Sequence, residues 1–389
     1  MRQIASPPSR ASAPAPLYDV VILGGGPAGV AVALALKQVE SGLRVLLVEA
    51  EPEVAWRVGE TLAPGTRQIL EALGCWEAVS RAGVVESFQS IAAWGDHRPH
   101  HHEFVFSLRG NAAQVDRARF NEALRSVAEA ADVAIWRLTR FQAAERRQDG
   151  RWCLTLSRHD RLGVVLADIV VDATGRHGCF AATQGSRPRF ADRLVGVAGL
   201  IELGAADARR DHATLVEAQE AGWWYSSPVP GGRVILVWMS DADLIHRGGL
   251  ARRERWLEHL KTAPLTRQRA LEGRFPDRLS TWPARSYCLD SVYGPRWIAV
   301  GDAASVWDPL SSAGILKALR TGKLGAFAIL DLLCGKADAM AKYRNCVVAD
   351  YAHYQRHRQQ VYRLEQRWRQ SPFWRRRDGS DAAPAVRKI

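Results

Sequence analysis

Two hydrophobic rhythms divide the chain. Short, mainly apolar runs stand at Tyr18–Leu23, Arg44–Val48, Ile169–Val171 and Arg296–Val300. Each is β-branched or aliphatic with no polar alternation, the pattern of a parallel strand covered on both faces. Between the first two runs, Val30 to Gln38 is built of small helix-compatible residues and predicts a crossover helix. Further helices are expected from about Thr66 to Leu73, from Asp116 to Ala131 with Asp116 as N-cap, and from the Ser-Ser-Ala-Gly stretch at 311–314 onward to Leu333. Val133–Arg140, Arg151–Ser157 and Gly163–Asp168 read as an antiparallel excursion that returns to the core. From Phe190 to Tyr287 the rhythm becomes a two-residue alternation. It predicts strands at Leu194–Glu202, Trp223–Pro228, Arg233–Met239 and Thr281–Tyr287, interrupted by a helix over Ala251–Thr262. Ser87–Trp94 and Glu103–Leu108 are also strand-like, with the histidine-rich stretch between them read as a loop.

The turn after the first run is Gly24-Gly25-Gly26-Pro27-Ala28-Gly29, a G-x-G-x-x-G placed between strand and helix. Gly24 permits the tight turn, Gly26 lets a diphosphate approach the backbone, and Gly29 lets helix and strand pack closely. The helix N-terminus then faces the phosphates, and Glu49 at the end of the next strand is placed to accept hydrogen bonds from ribose hydroxyls. Arg117 and Arg119 sit at a helix start, where cations oppose the dipole, so at least one is expected to meet an anion. Asp172-Ala173-Thr174-Gly175 and Gly301-Asp302 close two further strands with small residues where a cofactor needs close backbone approach. Asp302 at such a strand end suits a polyol, and the 311–314 helix start offers N–H groups to an anion.

The 389 residues are 47% hydrophobic and 24% charged, the balance of an ordinary globular protein large enough for two domains. Met1 to Pro16 is rich in Pro, Ala and Ser and lacks the apolar core of a secretory signal, so it reads as a disordered leader. The longest apolar stretch, Val20 to Leu36, holds four glycines and a proline and is not a membrane span. Six scattered cysteines, none in C-x-x-C, suit reduced thiols in the cytoplasm. Four histidines between His97 and His102 have no second ligand cluster, and no metal is expected. The formal charge of +12 is concentrated near the C-terminus, where Arg356 to Arg377 carries eight arginines and one glutamate. With no nucleic-acid module in the sequence, this segment reads as a solvated face or a site for an acidic partner rather than for bases.

Together these strand ends resemble the group A flavoprotein monooxygenases, whose fold is that of p-hydroxybenzoate hydroxylase. The resemblance runs from about Tyr18 to Tyr354 and rests on Gly24-x-Gly26-x-x-Gly29 with Glu49, Asp172-Ala173-Thr174-Gly175, and Gly301-Asp302. It implies an α/β fold: a Rossmann-type FAD-binding domain with an inserted, mostly antiparallel substrate sheet and a C-terminal helical segment. The corresponding boundaries are a leader over 1–17, FAD-binding parts at 18–86, 109–189 and 288–345, substrate parts at 87–108 and 190–287, and a basic helix and tail at 346–389. The cofactor set it implies is Gly24, Gly26, Pro27, Ala28, Gly29, Glu49, Arg57, Arg117, Asp172, Gly175, Asp302, Pro309, Ser312, Ala313, Gly314 and Ile315. In it Arg117 serves the diphosphate side, Asp302 the ribityl chain, and Pro309 through Ile315 the isoalloxazine near N1 and the C2 carbonyl.

Within that family, Val58–Pro64 and Asp308–Ile315 look most like the halogenase-related branch, which also includes flavoproteins that mature tryptophylquinone cofactors. Two departures separate this chain from the halogenases. Their Trp-x-Trp-x-Ile-Pro is here Trp223-Trp224-Tyr225-Ser226-Ser227-Pro228, and no lysine occurs between Lys37 and Lys261 to serve as their catalytic lysine. The resemblance therefore implies aromatic hydroxylation, in which reduced FAD and O2 form a C4a-hydroperoxide that transfers its distal oxygen. Glu60, Trp224 and Tyr225 are the candidate catalytic residues. The favoured substrate is a tryptophan in the small-subunit precursor of a quinone-bearing amine dehydrogenase; a small aromatic metabolite is the alternative. The Asp-Ala-Thr-Gly stretch departs from the Asp-Gly fingerprint of NAD(P)H-using hydroxylases, leaving the reductant open between NAD(P)H and a separate reduced-flavin or electron donor.

Overall fold

The computed structural model describes residues 15–51, 59–105, 107–159, 161–203, 212–271 and 273–378. Most of the expected leader, Arg57 and the end of the C-terminal tail lie outside the described residues. Leu17, assigned to the leader from sequence, already pairs with Leu166 in the first strand.

The apolar runs form the centre of an eight-stranded sheet. Leu17–Leu23 lies between Val45–Val48 and Arg161–Asp172, parallel to both, with Ala134–Trp136 and Trp297–Ala299 parallel outside them. Val20–Leu23, Val45–Val48, Ile169–Asp172 and Trp297–Ala299 are buried, as a parallel sheet covered on two faces requires, while the edge strand Ala134–Trp136 is half-buried. The antiparallel excursion expected from 133 begins only at Thr139, with Trp152–Arg158 pairing both Thr139–Arg146 and Arg161–Asp172; Ala134–Trp136, read as part of it, instead joins the parallel sheet beside Val45–Val48. The crossover helix Pro27–Val39 begins three residues earlier than its apolar pattern suggested, because Pro27 has the fixed φ that suits a first helical position. It packs against the long helix Gly314–Leu333; a side chain at Gly322 would collide with the Ala28 carbonyl. That close approach brings two helix starts to the same end of the sheet.

Leu194–Glu202, Thr214–Gln219, Gly222–Val229, Arg233–Asp241 and Ser280–Pro283 form a second sheet with Gln89–Ala93 and His100–Glu103. It is antiparallel apart from the parallel pair of Thr214–Gln219 with Gln89–Ala93. The helix expected over 251–262 is Arg253–Leu260. The histidine stretch is an edge strand of this sheet rather than a loop: His100, His101 and His102 pair with Ala92, Ile91 and Ser90. Its residues are all exposed, so no apolar alternation marked it in the sequence.

The C-terminal segment also departs from expectation. Ala339–Arg363 is one helix, followed by the short helix Pro372–Arg375, whose Phe373 and Trp374 are buried against the inner face of the second sheet with Trp223 and Tyr225. Four of its eight arginines are spent on internal ion pairs. Arg358 meets Asp192 and Asp308, Arg367 meets Glu365, Arg376 meets Asp241 and Asp243, and Arg377 meets Asp241. Part of the segment is thus packed into the molecule, while Arg356, Arg363, Arg369 and Arg375 stay exposed on its surface.

Candidate active site

At the glycine turn the sequence expectations and the geometry agree in detail. Gly24 has φ +111°, and a side chain there would collide with the Ala173 carbonyl, while one at Gly29 would collide with the Gly24 carbonyl. A Cβ at Gly26 would meet nothing within 4 Å, and the helix beginning at Pro27 has no side-chain cap. Open space thus stands before backbone N–H groups that lack intrahelical partners, the arrangement that receives a diphosphate. Glu49 accepts from the Gly25 N–H (2.9 Å) and the Glu51 N–H (2.9 Å), which fixes its carboxylate at the strand end beside that space. Asp116 caps the helix Arg117–Ala130 as expected, accepting from the Ala118 and Arg119 N–H groups, and Arg117 donates to the Gly59 carbonyl at 3.0 Å. Arg125, not singled out from the sequence, is paired with Glu122 and comes within 3.5 Å of the Gly25 carbonyl.

Asp172, assigned to the cofactor set by resemblance, is held within its own turn. It is fully buried, and its oxygens accept from the Thr174 N–H (3.0 Å), the Thr174 hydroxyl (2.6 Å) and the Ala181 N–H (2.8 Å). It shapes the turn that presents Gly175 and Arg176.

Asp302 follows Gly301 at the end of the Trp297–Ala299 strand, between the two helix starts. Its Oδ1 accepts from Lys317 Nζ at 2.7 Å, and Arg176 Nε stands 3.6 Å from Oδ2. Lys317 is buried and also donates to the Ser305 carbonyl. Burial pushes the Asp302 carboxyl up, but Lys317 and Arg176 outweigh it and hold it below the usual carboxylate range. Burial pushes the Lys317 ammonium down against the pull of Asp302. Sequence reading missed Lys317 because a lysine inside an amphipathic helix ordinarily faces solvent; its one signal is the apolar company of Ile315, Leu316 and Leu319. Past Asp302, Asp308 caps the turn Pro309–Ser311, Ser312 adopts φ +48°, and Ala313, Gly314 and Ile315 open the long helix. These are the residues assigned to the isoalloxazine, and they run on from the Asp308 cap into the start of the long helix.

The third part of the site lies under the second sheet. Glu60 is buried, and its Oε2 accepts from the Gly59 N–H at 3.0 Å. Burial raises its carboxyl to about 7, offset in part by the Arg117 guanidinium. The next residue, Thr61, meets the Tyr225 hydroxyl (3.0 Å) and donates to Gln114 Oε1 (2.9 Å). Ser227 donates to the same oxygen at 2.9 Å, and Gln114 Nε2 donates to Thr214 at 3.2 Å. Thr61, Gln114, Thr214 and Ser227 were not legible as site residues; they come together only through pairing of Thr61–Leu62 with Ala112–Val115 and the approach of the second sheet. Burial, and then the nearby Glu60 charge, push the Tyr225 hydroxyl well above its ordinary value. Trp224 does not join this group. Strand alternation turns it to the opposite face of the sheet, against Trp238, Trp256 and His259, so it is removed from the catalytic candidates.

A Rossmann-type sheet with an open glycine turn at a helix start, and a buried carboxyl under a second sheet, is the arrangement of a flavin-binding oxidoreductase. The FAD binding domain model matches residues 17–339, and the chain belongs to that family. It is 30% identical over 373 residues to the putative FAD-dependent oxidoreductase LodB of Marinomonas mediterranea, covering 94% of this chain and 98% of LodB. It is 26% identical to a tryptophan 2-halogenase of Chondromyces crocatus, across 84% of this chain but only 64% of the halogenase. Among solved structures, CmlS, a flavin-dependent halogenase, superposes with a TM-score of 0.82 at 25% identity, over 92% of this chain and 67% of CmlS. QhpG, a peptidyl tryptophan dihydroxylase essential for tryptophylquinone cofactor biogenesis, superposes with a TM-score of 0.74 at 23% identity, over 96% of this chain and 81% of QhpG; that likeness is one of fold.

The residues present fit FAD. Gly24, Gly26, Pro27 and Gly29 leave the diphosphate its space, Glu49 is fixed for the ribose, and Pro309 to Ile315 supply a helix start at the other end. Among the described residues no group of three or more His, Cys, Asp or Glu side chains gathers to hold a metal ion, and no helix is long and apolar enough to cross a membrane.

Proposed function

We propose that the protein is an FAD-dependent monooxygenase that hydroxylates an aromatic ring, the substrate being a tryptophan within a polypeptide. FAD, once reduced, supplies activated dioxygen. The chain's own residues bind, orient and move a proton. The glycine turn and helix start at Pro27 hold the diphosphate, and the second sheet shields the reacting ring from water. The Thr61–Gln114–Ser227 network fixes the Tyr225 hydroxyl above that ring. Glu60, as a carboxylate, takes the proton that leaves the ring carbon after an oxygen atom has been added, restoring aromaticity.

The observation that carries this reading is the charge inventory of the site. A buried carboxyl, Glu60, lies beneath the roof just before Thr61–Leu62, raised by burial to about 7, where proton transfer is efficient. The ammonium that halogenase chemistry needs is missing: residues 38–260 contain no lysine, and buried Lys317 is committed to Asp302 and the Ser305 carbonyl. The peptidyl substrate rests on the likeness to QhpG and on the branch resemblance. The similarity to CmlS and to a tryptophan 2-halogenase supports halogenation as the second reading.

One experiment separates the two. FAD-loaded protein with a reducing system and O2 is offered free tryptophan, a tryptophan-containing peptide and a small folded tryptophan-bearing polypeptide, each with and without chloride and bromide. We expect a mass gain of one or two oxygen atoms on the polypeptide, independent of halide. A halide-dependent product would establish halogenation, and turnover confined to free tryptophan would remove the peptidyl substrate.

A further inference from the structure

The residue that opens the cofactor-facing turn is held from the C-terminal helix. Asp308 is buried, and its Oδ1 accepts from the Leu310 N–H at 3.0 Å, which shapes the turn Pro309–Ser311. Its Oδ2 accepts from the Tyr362 hydroxyl (2.9 Å) and from Arg358 Nε (3.0 Å), both on the helix Ala339–Arg363. The Asp308 N–H donates to the hydroxyl of Tyr354 on the same helix at 2.7 Å, and Trp307 stacks on that ring, with centroids 5.1 Å apart. On its other side the Tyr362 hydroxyl accepts from Trp223 Nε1 at 3.1 Å, and Trp223 shares the inner sheet face with Tyr225. One hydroxyl therefore bridges the substrate roof and the cofactor-facing turn.

We infer that Tyr362 and Arg358 are positioning residues of the active site. Acting through Asp308, they fix the Pro309–Gly314 turn against the cofactor, and through Trp223 they tie that turn to the roof. Asp308 needs them for two physical reasons. A buried carboxylate is costly unless paired, and Arg358 supplies the charge. Ser312 holds a left-handed backbone conformation that a non-glycine residue adopts only when its surroundings enforce it, and the Asp308 cap begins that enforcement. The sequence pointed to a docking role for this basic segment; the structure gives Arg358 a role inside the cofactor site. This inference rests on the reading that the turn faces the flavin.

The test uses FAD titration of the apoprotein and the visible circular dichroism of bound flavin, alongside thermal stability. Failure of the wild type to bind FAD would sink the flavin reading and this inference with it. With FAD bound by the wild type, Tyr362→Phe is expected to raise the FAD dissociation constant roughly three- to tenfold, the worth of one buried hydrogen bond, and to change the flavin dichroism. Arg376→Ser, in the same segment but paired with Asp241 and Asp243, should lower stability without moving the dichroism. If Tyr362→Phe does not fold, Trp223→Phe breaks the roof end of the same chain and should change the dichroism in the same sense. Flavin spectra and affinity unchanged in both variants, with stability lowered as in Arg376→Ser, would reduce the segment to a structural brace and overturn the inference.

Discussion

Burial changes the chemistry of Glu60 because desolvation disfavours its charged form more than Arg117 restores it, leaving the carboxyl near 7. The sign of its effect on stability follows. Its value in the fold lies above its ordinary 4.5, so ionisation costs the folded state, and stability falls as pH rises from about 4.5 to about 7. Glu60→Gln removes that fall, and the variant should match or exceed the wild type in thermal stability at pH 8. Its catalytic effect runs the other way. If the carboxylate is the base, wild-type turnover rises with pH through about 7, while Glu60→Gln loses on the order of 10²-fold at pH 8 and shows no such rise. A pH–rate profile on both proteins checks this, and an unchanged profile would take the proton-transfer role from Glu60. The residue was legible as a candidate from its place in the loop after the second strand. Its partners were not, because Gln114 and Ser227 are 53 and 113 positions from Thr61 and from Gln114 respectively along the hydrogen-bonded chain.

At the scale of elements, legibility followed periodicity. Leu17–Leu23, Val45–Val48 and Leu194–Glu202 were marked by apolar runs or by strict alternation, and they stand where the pattern put them; the parallel strand Ala134–Trp136 was read as part of an antiparallel excursion. The edge strand His100–Glu103 was not marked, because an exposed edge needs no apolar face. Thr214–Gln219 was missed although it completes the roof; Glu217, buried in it, accepts from the Thr266 N–H and hydroxyl at 2.7 Å each and interrupts the apolar signal. Alternation also decides Trp224. It is named beside Tyr225 in sequence, yet a strand sends neighbours to opposite faces, and Trp224 fills the outer cluster with Trp238 and Trp256. Trp224→Ala should therefore cost about 3–5 kcal/mol of stability through the cavity it leaves. FAD affinity, measured well below the unfolding transition, should stay at the wild-type level. A large loss of FAD affinity in folded Trp224→Ala would return that side chain to the site.

At the scale of the whole molecule, the C-terminal segment closes a structure that the sequence divided into a two-part enzyme and a basic tail. Composition could count its arginines but not locate their partners, since Asp192, Asp241, Asp243 and Asp308 all lie more than 40 residues upstream. Arg377 is the clearest case. It is buried, donates to Asp241 Oδ1 at 2.6 Å and to the Phe373 carbonyl, and lies over the Phe373 ring. Burial pushes the Asp241 carboxyl up, but Arg377 and Arg376 outweigh it and hold it below the usual range. A depressed carboxyl stabilises the fold above its ordinary value, near 4, and that stabilisation is lost as pH falls below it. Removing both arginines leaves Asp241 buried and unpaired. Arg376→Ser with Arg377→Ser should therefore cost about 3–5 kcal/mol at pH 7, and the cost should shrink toward pH 3 as Asp241 takes up a proton. Thermal unfolding of both proteins across pH 3–7 measures this. A tail that served only as a solvated cationic surface would lose almost nothing, and its small loss would depend on salt rather than on pH. The two outcomes differ in size, in pH dependence and in salt dependence, so one set of melts decides whether these arginines hold the molecule together or face outward.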